Sequence, residues 1–77
     1  MVIFDKIGHM ISDESWEELH QFAHKIGLKR EWFQEKEDLS HYDLTTQRMK
    51  VRAVHFGARL VTPREIVKAL NKLKAPA

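Results

Sequence analysis

Between residues 12 and 26 the chain repeats apolar side chains at the spacing of one helix face, and a glycine stops the repeat. Trp16, Leu19, Phe22, Ala23 and Ile26 fall within about 120° of a helical wheel, the width of a stripe that packs on a core. Ser12 can cap the free N–H groups, Asp13 and Glu14 suit the positive end of the helix dipole, and Gly27 supplies the left-handed stop. A helix with so wide an apolar stripe has to lay it on something. The available partners are short apolar strings elsewhere in the chain.

Val2-Ile3-Phe4 is β-prone and ends at Asp5 and Gly8, so it reads as a strand or a terminal apolar hook. Residues 28–34 are ambiguous between strand and helical turn, with Trp32 and Phe33 as a core pair. A second helix is expected over residues 45–56, capped by Thr45 or Asp43 and closed by Gly57, with Met49, Ala53 and Phe56 as its apolar face. Residues 58–61 read as a short strand. Thr62-Pro63-Arg64-Glu65 is a helix start, with Thr at the cap, Pro in the first turn and Glu completing a capping box. Ile66, Val67, Leu70 and Leu73 then give the last helix one apolar face, while Lys68, Lys72 and Lys74 look outward. The alternation of strand-like and helical segments predicts an α/β (or α+β) fold, a two- or three-stranded sheet covered by three helices. Residues 1–77 form a single domain on this reading, with a charged connector at 35–38 and a frayed tail at 74–77.

Composition removes several function classes. A chain of 77 residues buries only about 60% of its unfolded surface, and the absence of cysteine excludes disulfides, thiolate zinc sites and cysteine nucleophiles. Any metal would need His and carboxylate ligands. No apolar run approaches the roughly 20 residues that span a bilayer, and Asp5 comes too early for a signal peptide. A soluble, cytoplasmic protein without a membrane partner is expected. The 13 basic residues against 11 acidic ones are too slight an excess to diagnose nucleic-acid binding.

The five histidines are more than a small core needs, and they stand at segment ends, where sites on small folds gather. His9 and Asp13 open the first helix on this reading, and His20 and His24 lie one turn apart on it. His41-Tyr42-Asp43 precedes the second helix. In an open α/β sheet ligands collect at the carboxyl ends of strands, so Asp5, His9 and Asp13 would meet His41, Tyr42 and Asp43 on one edge, provided that the sheet is not antiparallel. His20-Gln21-Phe22-Ala23-His24 lacks the glutamate that a zinc peptidase places after its first histidine. A metallopeptidase is therefore excluded. Arg48 and Arg52, one turn apart beside a helix start, suit a phosphate.

The string Gly8-His9-Met10, Ser12-Asp13, Glu18-Leu19-His20, Phe22-Ala23, Ile26-Gly27-Leu28, Arg30, Trp32-Phe33-Gln34, His41-Tyr42-Asp43, Arg48, Gly57-Ala58, Val61-Thr62 and Arg64-Glu65 resembles the short bacterial and phage proteins grouped as domain of unknown function 4031. Members of that family usually carry a longer arm before the His-Met pair, beginning with an aspartate-bearing strand, whereas this chain has eight residues there. The resemblance implies a phage or prophage setting and brings no activity with it.

The candidate ligand-binding residues are thus His9, Asp13, His20, His41, Tyr42, Asp43, Arg48 and Arg52, and His9, His20, His41 and Asp43 form a candidate set for a divalent metal, zinc or manganese. Three functions are open to such a site. The first is a noncatalytic module that binds a host or phage protein, its polar residues forming a network that fixes the fold. The second is a domain that binds a nucleotide or nucleic acid through phosphate. The third is a metal-dependent phosphohydrolase or nuclease. Either a monomer or a homodimer fits the apolar content.

Overall fold

A computed structural model describes residues 1–35 and 40–74. Residues 36–38 of the connector expected at 35–38, and residues 75–77 of the tail expected at 74–77, lie outside the described residues. The elements run β1 (Val2–Phe4), β2 (His9–Ser12), α1 (Trp16–Lys25), a 3-10 turn (Arg30–Trp32), β3 (Tyr42–Asp43), α2 (Gln47–His55), β4 (Arg59–Leu60) and α3 (Pro63–Lys74). The four strands form one mixed sheet in the order β3-β2-β1-β4. β1 is antiparallel to β2 and parallel to β4, and β2 is antiparallel to β3.

The fold is of the α+β kind, with one strand more than expected. Two strands are unexpected, β2 in the stretch that the sequence suggests as a helix start and β3 in the stretch expected only to lead into the second helix, while the candidate strand at 28–34 holds the 3-10 turn instead. Met10 and Ile11 have no exposed surface, and a run of His-Met-Ile-Ser that is buried on both faces gives a strand rather than a capped first turn. The helix begins later. Ser15, not Ser12, caps α1, its hydroxyl accepting from the Glu18 N–H at 3.0 Å. Ser12 instead sits at the end of β2 and accepts from the N–H groups of Glu14 and Ser15, at 3.0 and 3.2 Å, while donating to the Glu18 carboxylate. In α2 the cap is likewise one residue later than expected: Thr46 accepts from Met49 N–H at 3.1 Å. Thr62 caps α3 as its sequence indicates, accepting from Glu65 N–H at 3.3 Å.

Strand alternation assigns each side chain to a face. Val2, Phe4, Met10 and Tyr42 share one face by register, and α1 and α2 cover it. Ile3, Ile11, His9 and Asp43 share the other, where α3 packs through Ile66, Ala69 and Leu70. The α1 stripe is placed as expected: Leu19, Ala23 and Ile26 are buried, and Trp16 and Phe22 pack against the same core. Three apolar expectations are corrected. Val67 is 55% exposed, Trp32 51% and Phe56 38%, the last lying just past the end of α2 with the Arg52 guanidinium over its ring. Ala69 takes the place of Val67 on the buried face of α3, because the helix meets the sheet about one residue position further round. Of the aromatic pair only Phe33 reaches the core.

The β1–β2 turn depends on Gly8, whose φ is +112°. A Cβ at this position would stand 2.5 Å from the carbonyl oxygen of Leu44, while the Leu44 N–H donates to the Gly8 carbonyl at 2.8 Å. The chain therefore needs glycine here both for its dihedral and for the approach of the β3 strand end. Gly27 has φ +95° but open space around it. We expect Gly8→Ala to destabilise the fold by at least about 2 kcal/mol, and Gly27→Ala by about 1 kcal/mol, the cost of the dihedral alone. Urea unfolding of the two variants tests the ranking, and equal losses would show that the Leu44 contact gives way freely.

Candidate functional site

Three of the expected residues meet on the α3 side of the sheet. His9 opens β2 and stands opposite Asp43 of β3 in the antiparallel register, and His41, two residues before Asp43, projects to the same side. One potential ligand atom from each of His9, His41 and Asp43 lies within 4.8 Å of the other two. The two imidazoles meet edge to face with centroids 4.9 Å apart, and His41 Nε2 donates to Asp43 Oδ1 at 2.8 Å. Gln34, bridged to His41 in the chain beside β3, donates its side-chain N–H to the other Asp43 oxygen.

Asp5, expected on the same edge, belongs to this group. Its side chain has no exposed surface. One carboxylate oxygen accepts from the backbone N–H groups of Gly8 and His9, at 2.9 and 3.0 Å, and the other faces His9 Nδ1 at 3.0 Å. Burial on its own pushes the Asp5 carboxyl up, but the His9 side chain, the two backbone N–H groups and the His9 charge together hold it below its ordinary range. An ionised carboxylate only accepts, so His9 Nδ1 carries the proton. That fixes the tautomer and leaves Nε2 of His9 as the ring's lone-pair nitrogen.

The other candidates are placed elsewhere. Asp13 is at the far end of β2, one strand length from His9, where the Met1 ammonium takes it at 2.8 Å. Their separation follows from the strand: a helix would have stacked residues 9 and 13 on one face, whereas four residues of strand span roughly 13 Å. His20 lies on the opposite side of the sheet, with Nδ1 2.8 Å from the Tyr42 hydroxyl and its ring against Phe33. Tyr42 is therefore an α1 partner and faces away from His41 and Asp43. Arg52 donates from Nε to the Ile26 carbonyl at 2.8 Å and stacks on Phe56. It closes the C-terminal end of α1. Arg48 and His24 are exposed. No helix among the described residues is long and apolar enough to cross a membrane.

The model of a family described as protein of unknown function, DUF4031, matches residues 4–73. The chain belongs to this family. No curated protein and no solved structure matches it. Within this DUF4031 chain the matched stretch includes every residue of the Asp5, His9, His41 and Asp43 group.

His20 gives the domain a pH dependence. Burial, followed by the nearby Arg30 charge, lowers its pKa below the ordinary 6.5, with Glu35 opposing. The unfolded chain then binds a proton more readily than the folded one, so stability falls as pH drops below the unfolded value. We expect His20→Gln to lose less stability than the parent between about pH 7.5 and pH 5.5. Denaturant midpoints at both pH values measure this, and parallel losses in the two proteins would show that His20 titrates alike in both states.

Proposed function

We propose that this domain binds a divalent transition-metal ion through His9, His41 and Asp43 and uses it as a hydrolytic centre. One observation carries the reading: two imidazoles and a carboxylate converge within 4.8 Å from two strands paired in register. Ligands on a tetrahedral zinc ion lie about 3.4 Å apart, so modest side-chain rotation would bring the three atoms onto one ion. Two His and one carboxylate suit zinc or manganese. The buried Asp5 behind His9 supports it further, since a ligating imidazole usually donates its other N–H to a carboxylate or carbonyl, which raises its basicity. Gln34 on the second Asp43 oxygen plays the same part for the carboxylate.

His9, His41 and Asp43 would hold the ion with a coordination position left for water or a substrate oxygen, and the ion would supply a bound water that ionises near neutral pH or would polarise a phosphate ester oxygen. The phosphate site once suggested by Arg48 and Arg52 loses support, because Arg52 is engaged with Ile26. Partner binding is a second reading, favoured by Val51, Val54 and Leu60, which are all more than half exposed around one groove with Phe4. A phage or prophage setting in the host cytoplasm belongs to the proposal in either case.

Calorimetric titration of chelator-treated protein with zinc and with manganese tests the metal reading. We expect one ion per chain, a raised melting temperature, and an affinity that fades as acid protonates the imidazoles. His9→Gln and Asp43→Asn should each abolish most of the binding. Asp5→Asn should weaken it by about 10–100-fold, and His20→Gln and His24→Gln should leave it unchanged. Absence of both heat and thermal shift at excess ion would remove the metal centre.

A further inference from the structure

Beside the metal-ligand group the surface opens into a groove of about 650 Å³, lined by Leu28, Trp32, Gln34, Asp43, Thr45 and Met49 together with Gly27 and Glu31. Its volume lies in the range of small-molecule sites. Asp43 and Gln34 are shared with the proposed metal centre, one as ligand and the other as its hydrogen-bond donor, so an occupant of the groove reaches the ion. The wall opposite is apolar. Trp32 rides on the 3-10 turn with half its surface exposed, although a buried position is what so large an apolar ring would ordinarily take. The Lys29 ammonium lies 5.6 Å from its ring centroid, and Met49 and Leu28 provide the apolar floor.

We propose that this groove holds a nucleotide, with its base stacked on Trp32 and its phosphate oxygen on the ion. The inference rests on the metal reading above and names the substrate class of that site. Each part of the occupant follows from chemistry on the groove wall. A flat exposed indole beside a thioether favours a planar ring. The ring must carry hydrogen-bonding groups on its edge, because the exposed Glu31 and Thr45 would lose water to a purely apolar ligand without replacement. Donor groups suit it best, since Glu31 presents a carboxylate. The occupant also needs an anionic end, because the ion beside Asp43 offers the strongest local positive charge in a groove whose own walls are acidic. A base with exocyclic amino groups joined to a phosphate meets these demands, and the terminal nucleotide of a single strand presents the same chemistry as a free one.

The test follows the two indole N–H signals of zinc-loaded, nitrogen-15-labelled protein by NMR, with Trp32→Phe assigning them. The titrants are adenosine and cytidine 5′-monophosphates, the two matching nucleosides, ribose 5-phosphate, and a short single-stranded oligonucleotide. We expect saturable shifts of the Trp32 signal with a monophosphate or the oligonucleotide, and little shift of Trp16. The nucleosides should bind at least about tenfold more weakly, as should the monophosphate after zinc is removed. Trp32→Ala should weaken nucleotide binding by a similar factor while calorimetry finds zinc affinity unchanged. Preference for the oligonucleotide assigns the groove to a strand end, and equal binding assigns it to free nucleotide. Zinc binding without any shift of Trp32 up to millimolar nucleotide overturns this inference and leaves the metal reading intact, whereas failure of zinc itself to bind overturns both.

Discussion

The Asp5 carboxylate accepts hydrogen bonds from two backbone N–H groups and faces an imidazole N–H, all within one turn of chain and closed off from water. Removing it would leave the His9 N–H and the His9 imidazole N–H without their acceptor, while the Gly8 N–H would keep the Asp5 carbonyl at 3.0 Å; each unmet donor costs about 1–3 kcal/mol when shielded from water. The same three bonds do two jobs. The backbone pair shapes the reversal from β1 into β2, and the side-chain bond fixes the orientation of His9. Everything on the α3 side of the sheet inherits its geometry from this reversal: the register of His9 against Asp43, and the position at which the β3 strand end meets Gly8.

The sheet separates two kinds of chemistry. On the α1 side His20, Phe33 and Tyr42 pack as an aromatic group, with burial and then Arg30 lowering the imidazole's pKa. On the α3 side His9 and His41 meet carboxylates. Three of the five histidines thus divide into a packing residue, His20, and a pair beside carboxylates, His9 and His41. The division follows from strand parity, since His41 and Tyr42 are neighbours in sequence and point to opposite faces.

Much of this was legible in the residues. The α1 stripe, the glycine stops, the Thr62 cap and the α3 start depend on local chemistry, and each stands where its side chains indicate. The convergence of His9 with His41 and Asp43 was also expected, but from a topology only partly right. A parallel arrangement would have collected Asp13 as well. The hairpin β1–β2 keeps His9 and carries Asp13 to the other end of the strand. β2 itself was hidden because His-Met-Ile-Ser is too short to show a period, and the acidic residues after it imitate a helix start. Nothing local marks Asp5 as a partner of His9. Its four-residue spacing resembles a helix contact, whereas the structure brings the two together across a turn. The outward turn of Trp32 was equally unreadable, for it depends on which residue of a 3-10 turn meets the core.

The register of β2 against β3 has a consequence for how the chain finds its fold. Strand side chains alternate, so a slip of one residue would carry His9 to the aromatic face and bring Met10 opposite Asp43. The three polar groups would then be dispersed in a single step, and a methionine would face a carboxylate. An ion that recognises the trio would consequently recognise one pairing of the strands and no neighbouring one. In these terms the polar cluster acts as a register mark, a point at which chemistry distinguishes the correct alignment of two very short strands from alignments that hydrophobic burial alone would separate less sharply.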